Sequence, residues 1–116
     1  MFDSSYTGEQ VDARLAQVMT KEAVSGSSVS KQLSPNVFYS FGTMSSLTIT
    51  LGSPTSGQTN EYAFEFDSGS TATSLSLPAS VEGVDDSGIE ASKHYEVSIK
   101  YTAQGGGKYF GLIKGW

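Results

Sequence analysis

Cysteine is absent from all 116 residues, which excludes a disulfide framework, a thiolate nucleophile and any cysteine-based zinc site. Cations are scarce: seven Lys and Arg stand against twelve Asp and Glu, a net charge of -5. Binding to a phosphate backbone draws its affinity from clustered cations that displace counterions, so a nucleic-acid partner is not expected. No stretch approaches the ~20 apolar residues of a membrane span, so no membrane insertion is expected. The opening MFDSSYTGEQ has neither the basic start nor the apolar run of about 7–15 residues of a secretory signal. A protein carried on a particle and released by lysis would reach the exterior without one.

Hydrophobic residues make up 37% and aromatics 11%, enough for a modest core and low for a globular enzyme. Ser, Thr and Gly replace the missing apolar residues, so self-repulsion does not force disorder. The length allows one domain and a short appendage, and a subunit with a thin core gains burial by oligomerising.

The first organised element is expected to be a helix. Thr7 and Gln10 form a T-x-x-Q capping box, with Tyr6 and Val11 at the spacing of a hydrophobic staple. Val11, Leu15, Val18 and Met19 then share one stripe. The helix is expected to end before Ser25-Gly26, where glycine can take a left-handed conformation, so residues 1–24 form an attachment and oligomerisation element. Isolated helices of this length are marginal in water. The stripe therefore needs a partner: its own β domain, copies of itself in a short parallel bundle, or another protein. Residues 25–34 read as a linker, and 35–116 as a β domain.

Within that domain, Glu61 to Pro78 alternates most informatively. Tyr62, Phe64 and Phe66 alternate with Glu61, Ala63 and Glu65; after Asp67-Ser68-Gly69, Leu75 and Leu77 resume the pattern until Pro78. Period two is what a half-buried strand needs, and two such runs around a turn predict adjacent antiparallel strands. Val37 to Phe41 and Leu47, Ile49 and Leu51 give further strands. Tyr95, Val97, Ile99 and Tyr101 give another, returning through a Gly105-Gly106-Gly107 hairpin into Lys108 to Lys114. Gly111 inside the last strand predicts a bulge or a close backbone approach. The fold class is mainly β: a single β-sandwich of jelly-roll or immunoglobulin-like type behind a short N-terminal helix. Trp116 is expected to pack on a neighbouring surface.

Side chains for chemistry are sparse. His94 lies at the opposite parity from the apolar face, as a solvated histidine would, and no G-x-S-x-G elbow accompanies it. Asp85, Asp86 and Glu90 offer oxygen ligands, but their spacing matches no defined calcium loop. The glycines at 105–107 have neither the helix nor the lysine of a phosphate-binding loop. Tyr39, Tyr62, Tyr95, Tyr101, Tyr109 and Trp116 sit mostly at inward parity, which favours core packing over sugar stacking. No catalytic, metal or cofactor residues are expected.

Pro35-Asn36-Val37-Phe38-Tyr39-Ser40-Phe41-Gly42 with Leu47-Thr48-Ile49-Thr50-Leu51 resembles a segment of small virion proteins from tailed phages of gut bacteria. So does Tyr62-x-Phe64-x-Phe66 with Ser68-Gly69, followed by Ala72-Thr73-x-Leu75-x-Leu77-Pro78. Ile89 to Ile99 is similar to the family's last stretch before its C-terminal strand, and Tyr6 to Asp12 resembles openings of phage fibre and tail proteins. The resemblance implies a non-enzymatic structural protein of the virion, a trimeric fibre, head-fibre or fibre-tip subunit. Its partners would be copies of itself, other virion proteins and a host-surface glycan or protein. A capsid decoration protein is the alternative, and a carbohydrate-binding module a third. Family members often carry a tryptophan where this chain has Val81-Glu82-Gly83-Val84, so a binding role tied to that residue does not carry over.

Overall fold

A computed structural model describes residues 19–84, 86–103 and 107–116. Strand makes up 60% of the described residues and no α-helix occurs among them, so the mainly β class holds there. The nine strands are β1 (Thr20–Val24), β2 (Ser28–Leu33), β3 (Val37–Met44), β4 (Ser46–Leu51), β5 (Asn60–Ser68), β6 (Ser74–Ser76), β7 (Val81–Glu82), β8 (His94–Thr102) and β9 (Lys108–Gly115). They form a six-stranded sheet in the order β1-β3-β5-β8-β9-β7 and a three-stranded sheet in the order β2-β4-β6.

The winding differs from the antiparallel connectivity expected of a jelly-roll or immunoglobulin-like domain. Consecutive strands from β1 to β6 alternate between the sheets, and each pairs in parallel with the strand two places along. The chain thus climbs as a two-sided coil. The runs on either side of Asp67-Ser68-Gly69 do not pair with each other: β5 lies between β3 and β8, while β6 lies beside β4. Period two reports which face a side chain takes, not which strand lies alongside. Only the C-terminal part is antiparallel, through the pairs β5–β8 and β8–β9; the turn expected at Gly105 and Gly106 lies outside the described residues.

Residues 20–24 and 28–33, expected as helix end and linker, are strands β1 and β2. The remainder of the expected helix, with Val11, Leu15 and Val18, lies outside the described residues.

One core joins the two sheets. Tyr39, Phe41, Tyr62, Phe64, Phe66, Tyr95, Val97 and Ile99 face Leu33, Leu47, Ile49 and Leu75 across it. Phe64 stacks on Phe66, and Phe66 on Tyr95, at centroid separations of 6.1 and 5.4 Å. The tyrosines at inward parity pack as expected: Tyr39, Tyr62 and Tyr95 are buried, and Tyr101 and Tyr109 pack against the cluster. The Tyr62 hydroxyl donates to the Gly52 carbonyl at 2.7 Å. Burial pushes its pKa up to about 12, with Tyr109 and Tyr101 adding to the shift. Gly111 is the close approach expected of a strand glycine: a Cβ there would overlap the Val84 side chain and crowd Val81.

Candidate functional site

The outer face of the six-stranded sheet, turned away from the shared core, carries most of the surface chemistry. One cross-strand row runs Lys21, Phe38, Ala63, Ser98, Leu112 from β1 to β9. The next runs Glu61, Lys100, Phe110, Glu82, ending on β7. On the other side lie Ser40, Glu65, Glu96 and Lys114, then Asp67 and His94.

Phe110, Leu112 and Trp116 are the exposed large hydrophobics among the described residues, with Leu112 at 76% exposure. Phe110 and Leu112 fall on this face because β9 places even-numbered residues outward, and Trp116 follows directly after the strand. A shallow groove of about 770 Å³ is lined by Met19, Phe38, Ala63, Leu112 and Trp116, with Glu61, Glu96 and Lys114 supplying charge. A second depression of about 550 Å³ shares Glu61, Ser98 and Leu112 with it and extends towards Lys100 and Phe110. Apolar surface clustered in this way is informative in a way that scattered exposed leucines are not.

His94 stands at the C-terminal corner of the face. Its Nδ1 lies 2.7 Å from Asp67 Oδ1 and its Nε2 3.2 Å from Glu65 Oε1. The ring meets Trp116 edge-on at 5.0 Å, and the two backbones exchange hydrogen bonds of 3.0 Å. Trp116 is therefore laid against a neighbour, as expected, yet remains 60% exposed. The expected solvated histidine is instead half-buried between two carboxylates. Each ring nitrogen faces a different carboxylate, so the arrangement holds the imidazole in place and presents no common point for a metal ion. Among the described residues no group of three or more His, Asp and Glu could hold one. Asp85 lies outside the described residues, and Glu90 forms an ion pair with Lys93.

Of the stripe Val11, Leu15, Val18 and Met19, the structure describes only Met19, which lines the groove. Sequence reasoning missed the outer face itself. Its signal was present where alternation fails: Val37-Phe38-Tyr39 and Tyr109-Phe110-Gly111-Leu112-Ile113 are apolar at both parities, the pattern of a strand covered on two sides.

Salt bridges account for Lys21, Lys31, Lys93 and Lys108. Lys100 and Lys114, both on this face, stand opposite Glu61 and Glu96 in the strand register. No family model, curated protein or solved structure matches the chain.

Proposed function

We propose that the chain is a non-enzymatic structural protein of a tailed-phage particle, a fibre or fibre-tip subunit exposed on the virion and assembled as a closed oligomer of three copies. The observation that carries this reading is the winding of β1 to β6. Each turn stacks in parallel on the one before, so backbone ladders build the body from a chain rich in Ser, Thr and Gly with a thin core. Coiled architectures of this kind suit a shaft or tip that must persist outside a cell.

The first turn of the coil also favours a closed assembly over an open filament. Glu22 of β1 and Lys31 of β2 form an ion pair of 3.1 Å on the two strands that begin the sheets. Charges at an edge oppose strand addition, which leaves a cyclic arrangement of subunits as the compatible symmetry. Contact with a host glycan or protein would then be multivalent, gaining avidity of about 10²–10⁴ from repeated weak sites.

Light scattering on the full chain over a wide concentration range tests the reading. Three chain masses, independent of concentration, is the expected result. A chain that stays monomeric overturns the fibre assignment and leaves a capsid decoration protein in its place.

A further inference from the structure

We propose that His94 is a proton-operated clasp: while protonated it ties Glu65 and Asp67 to the Trp116 corner of the outer face, and on losing its proton it releases the indole that walls the groove. The inference does not depend on the particle reading.

The geometry asks for a charged ring. Nδ1 lies 2.7 Å from Asp67 Oδ1 and Nε2 lies 3.2 Å from Glu65 Oε1. A carboxylate only accepts, and a neutral imidazole has a single N–H. The neutral ring would therefore donate to one of these oxygens and turn a lone pair on the other, whereas the imidazolium donates to both. The strand register assembles the three groups. Asp67 stands opposite His94 in the β5–β8 ladder, and Glu65 lies two residues along β5 on the same face.

The charges around the clasp are otherwise engaged. Ser40 of β3 donates to Glu65 Oε2 at 2.9 Å, and Lys21 of β1 approaches the same oxygen to 4.0 Å. Lys93, just before β8, pairs with Glu90, and Lys114 of β9 stands opposite Glu96. Among the described residues, Asp67 pairs with no cation other than His94. A neutral ring keeps one contact. Asp67 holds the shorter one, and Glu65 has Ser40 and Lys21 besides, so the ring stays with Asp67 and turns away from Glu65.

Trp116 registers that turn because the two rings meet edge-on at 5.0 Å. The strand end itself stays, since the reciprocal backbone bonds between His94 and Trp116, 3.0 Å each, contain no ionisable group. The movement is confined to side chains, and it reaches the groove because Trp116 lines it. The sign follows from the chemistry. Histidine is the side chain whose charge ordinarily changes between about pH 5 and 8, and carboxylates take up protons near about pH 4. The clasp is closed between those limits. It opens as pH rises and the ring becomes neutral, and weakens again in strong acid as Glu65 and Asp67 are protonated.

One histidine and one tryptophan in the chain make the test direct. In the full chain, nitrogen-15 NMR follows the imidazole, and nuclear Overhauser contacts report its proximity to the indole. At about pH 6 both ring nitrogens should carry protons and the ring-to-ring contacts should be present. As the ring becomes neutral, those contacts should be lost and Trp116 emission should move to longer wavelength with the same midpoint. Contacts that persist beside a neutral ring overturn the proposal, as does an emission midpoint that departs from that of the ring. Glu65→Gln separates the clasp from titration alone. Its carboxamide accepts from the charged ring and donates to the neutral one, so the histidine should still titrate while contacts and emission stay constant. The parent's transition reproduced unchanged in that variant overturns the proposal. If Glu65→Gln fails to fold, the ring-to-ring contacts of the parent decide by themselves.

Discussion

Lys31 on β2 reaches Glu22 on β1 across the first turn of the coil, with Nζ 3.1 Å from Oε2. The same ammonium lies 5.6 Å from the centre of the Tyr39 ring, so the side chain covers core aromatic surface while its head pairs at the rim. Glu22 stands opposite Tyr39 in the β1–β3 register. The coil therefore starts with a charged lid above its first buried aromatic residue. The ion pair is partly exposed and adds little stability, at most about 1 kcal/mol. Its larger effect is to make the first edge unattractive to another strand.

Replacing both charges, Glu22→Val with Lys31→Val, should turn that edge into a site of strand addition. Light scattering should show a mass that climbs with concentration, where the parent stays constant. A double variant that keeps the parent mass at every concentration would show that the edge is protected by something other than charge.

Gly111→Ala should destabilise the fold by about 1–3 kcal/mol, the usual cost of forcing extra volume into a packed site. The added methyl would collide with Val84 and press on Val81 and Ile99. Gly42→Ala is the control, because a Cβ there meets nothing within 4 Å. Urea denaturation should show a lower midpoint for the first variant with an unchanged slope. A Gly111→Ala midpoint equal to that of Gly42→Ala would mean that the 81–84 segment moves aside at no cost.

The Tyr62 hydroxyl sets an alkaline limit on the fold. Its folded pKa, about 12, lies above the ordinary value of 10.0. A group raised in this way contributes stability in full below pH 10, and loses it as pH climbs from 10 towards 12, where the unfolded chain releases the proton first. Tyr62→Phe should weaken the protein at neutral pH by about 1 kcal/mol through the lost bond to Gly52. It should also flatten the decline between pH 10 and 12. A decline of unchanged steepness would assign the alkaline loss to other groups.

His94→Ala should change the environment of Trp116, the single tryptophan, by removing the ring against which the indole rests. Its emission should move to longer wavelength, while stability falls by less than about 1 kcal/mol because the polar contacts involved are partly exposed. An unchanged spectrum would mean that the backbone bonds between the two residues hold the indole by themselves.

The strands with a strict apolar alternation were legible from sequence. Tyr62-Phe64-Phe66 and Tyr95-Val97-Ile99 mark β5 and β8, and Leu47 and Ile49 mark β4. Their partners were not legible, because alternation carries no information on parallel or antiparallel neighbours. β1 escaped notice for a different reason. Four of its five residues are exposed, so it is held by its backbone ladder to β3, and its side chains carry no burial signal. The helical stripe ending at Met19 also ran directly into it. On the candidate site, Met19 was legible as apolar stripe. Phe38, Phe110 and Leu112 were hidden in runs that look like ordinary core strands until both faces are assigned.

The place of β5 has a consequence for how the chain reaches its native state. This middle strand is held on one side by β3 and on the other by β8, whose residues leave the ribosome some thirty positions later. The early turns of the coil thus wait for the late hairpin before their ladder is complete. Pairings between segments so distant in sequence form slowly, since loop-closure entropy precedes any gain from contact. The hairpin of β8 and β9 is the most local pairing at its turn, whereas joining β5 to β8 spans more of the chain than the pairing of β1 with β3 or of β3 with β5.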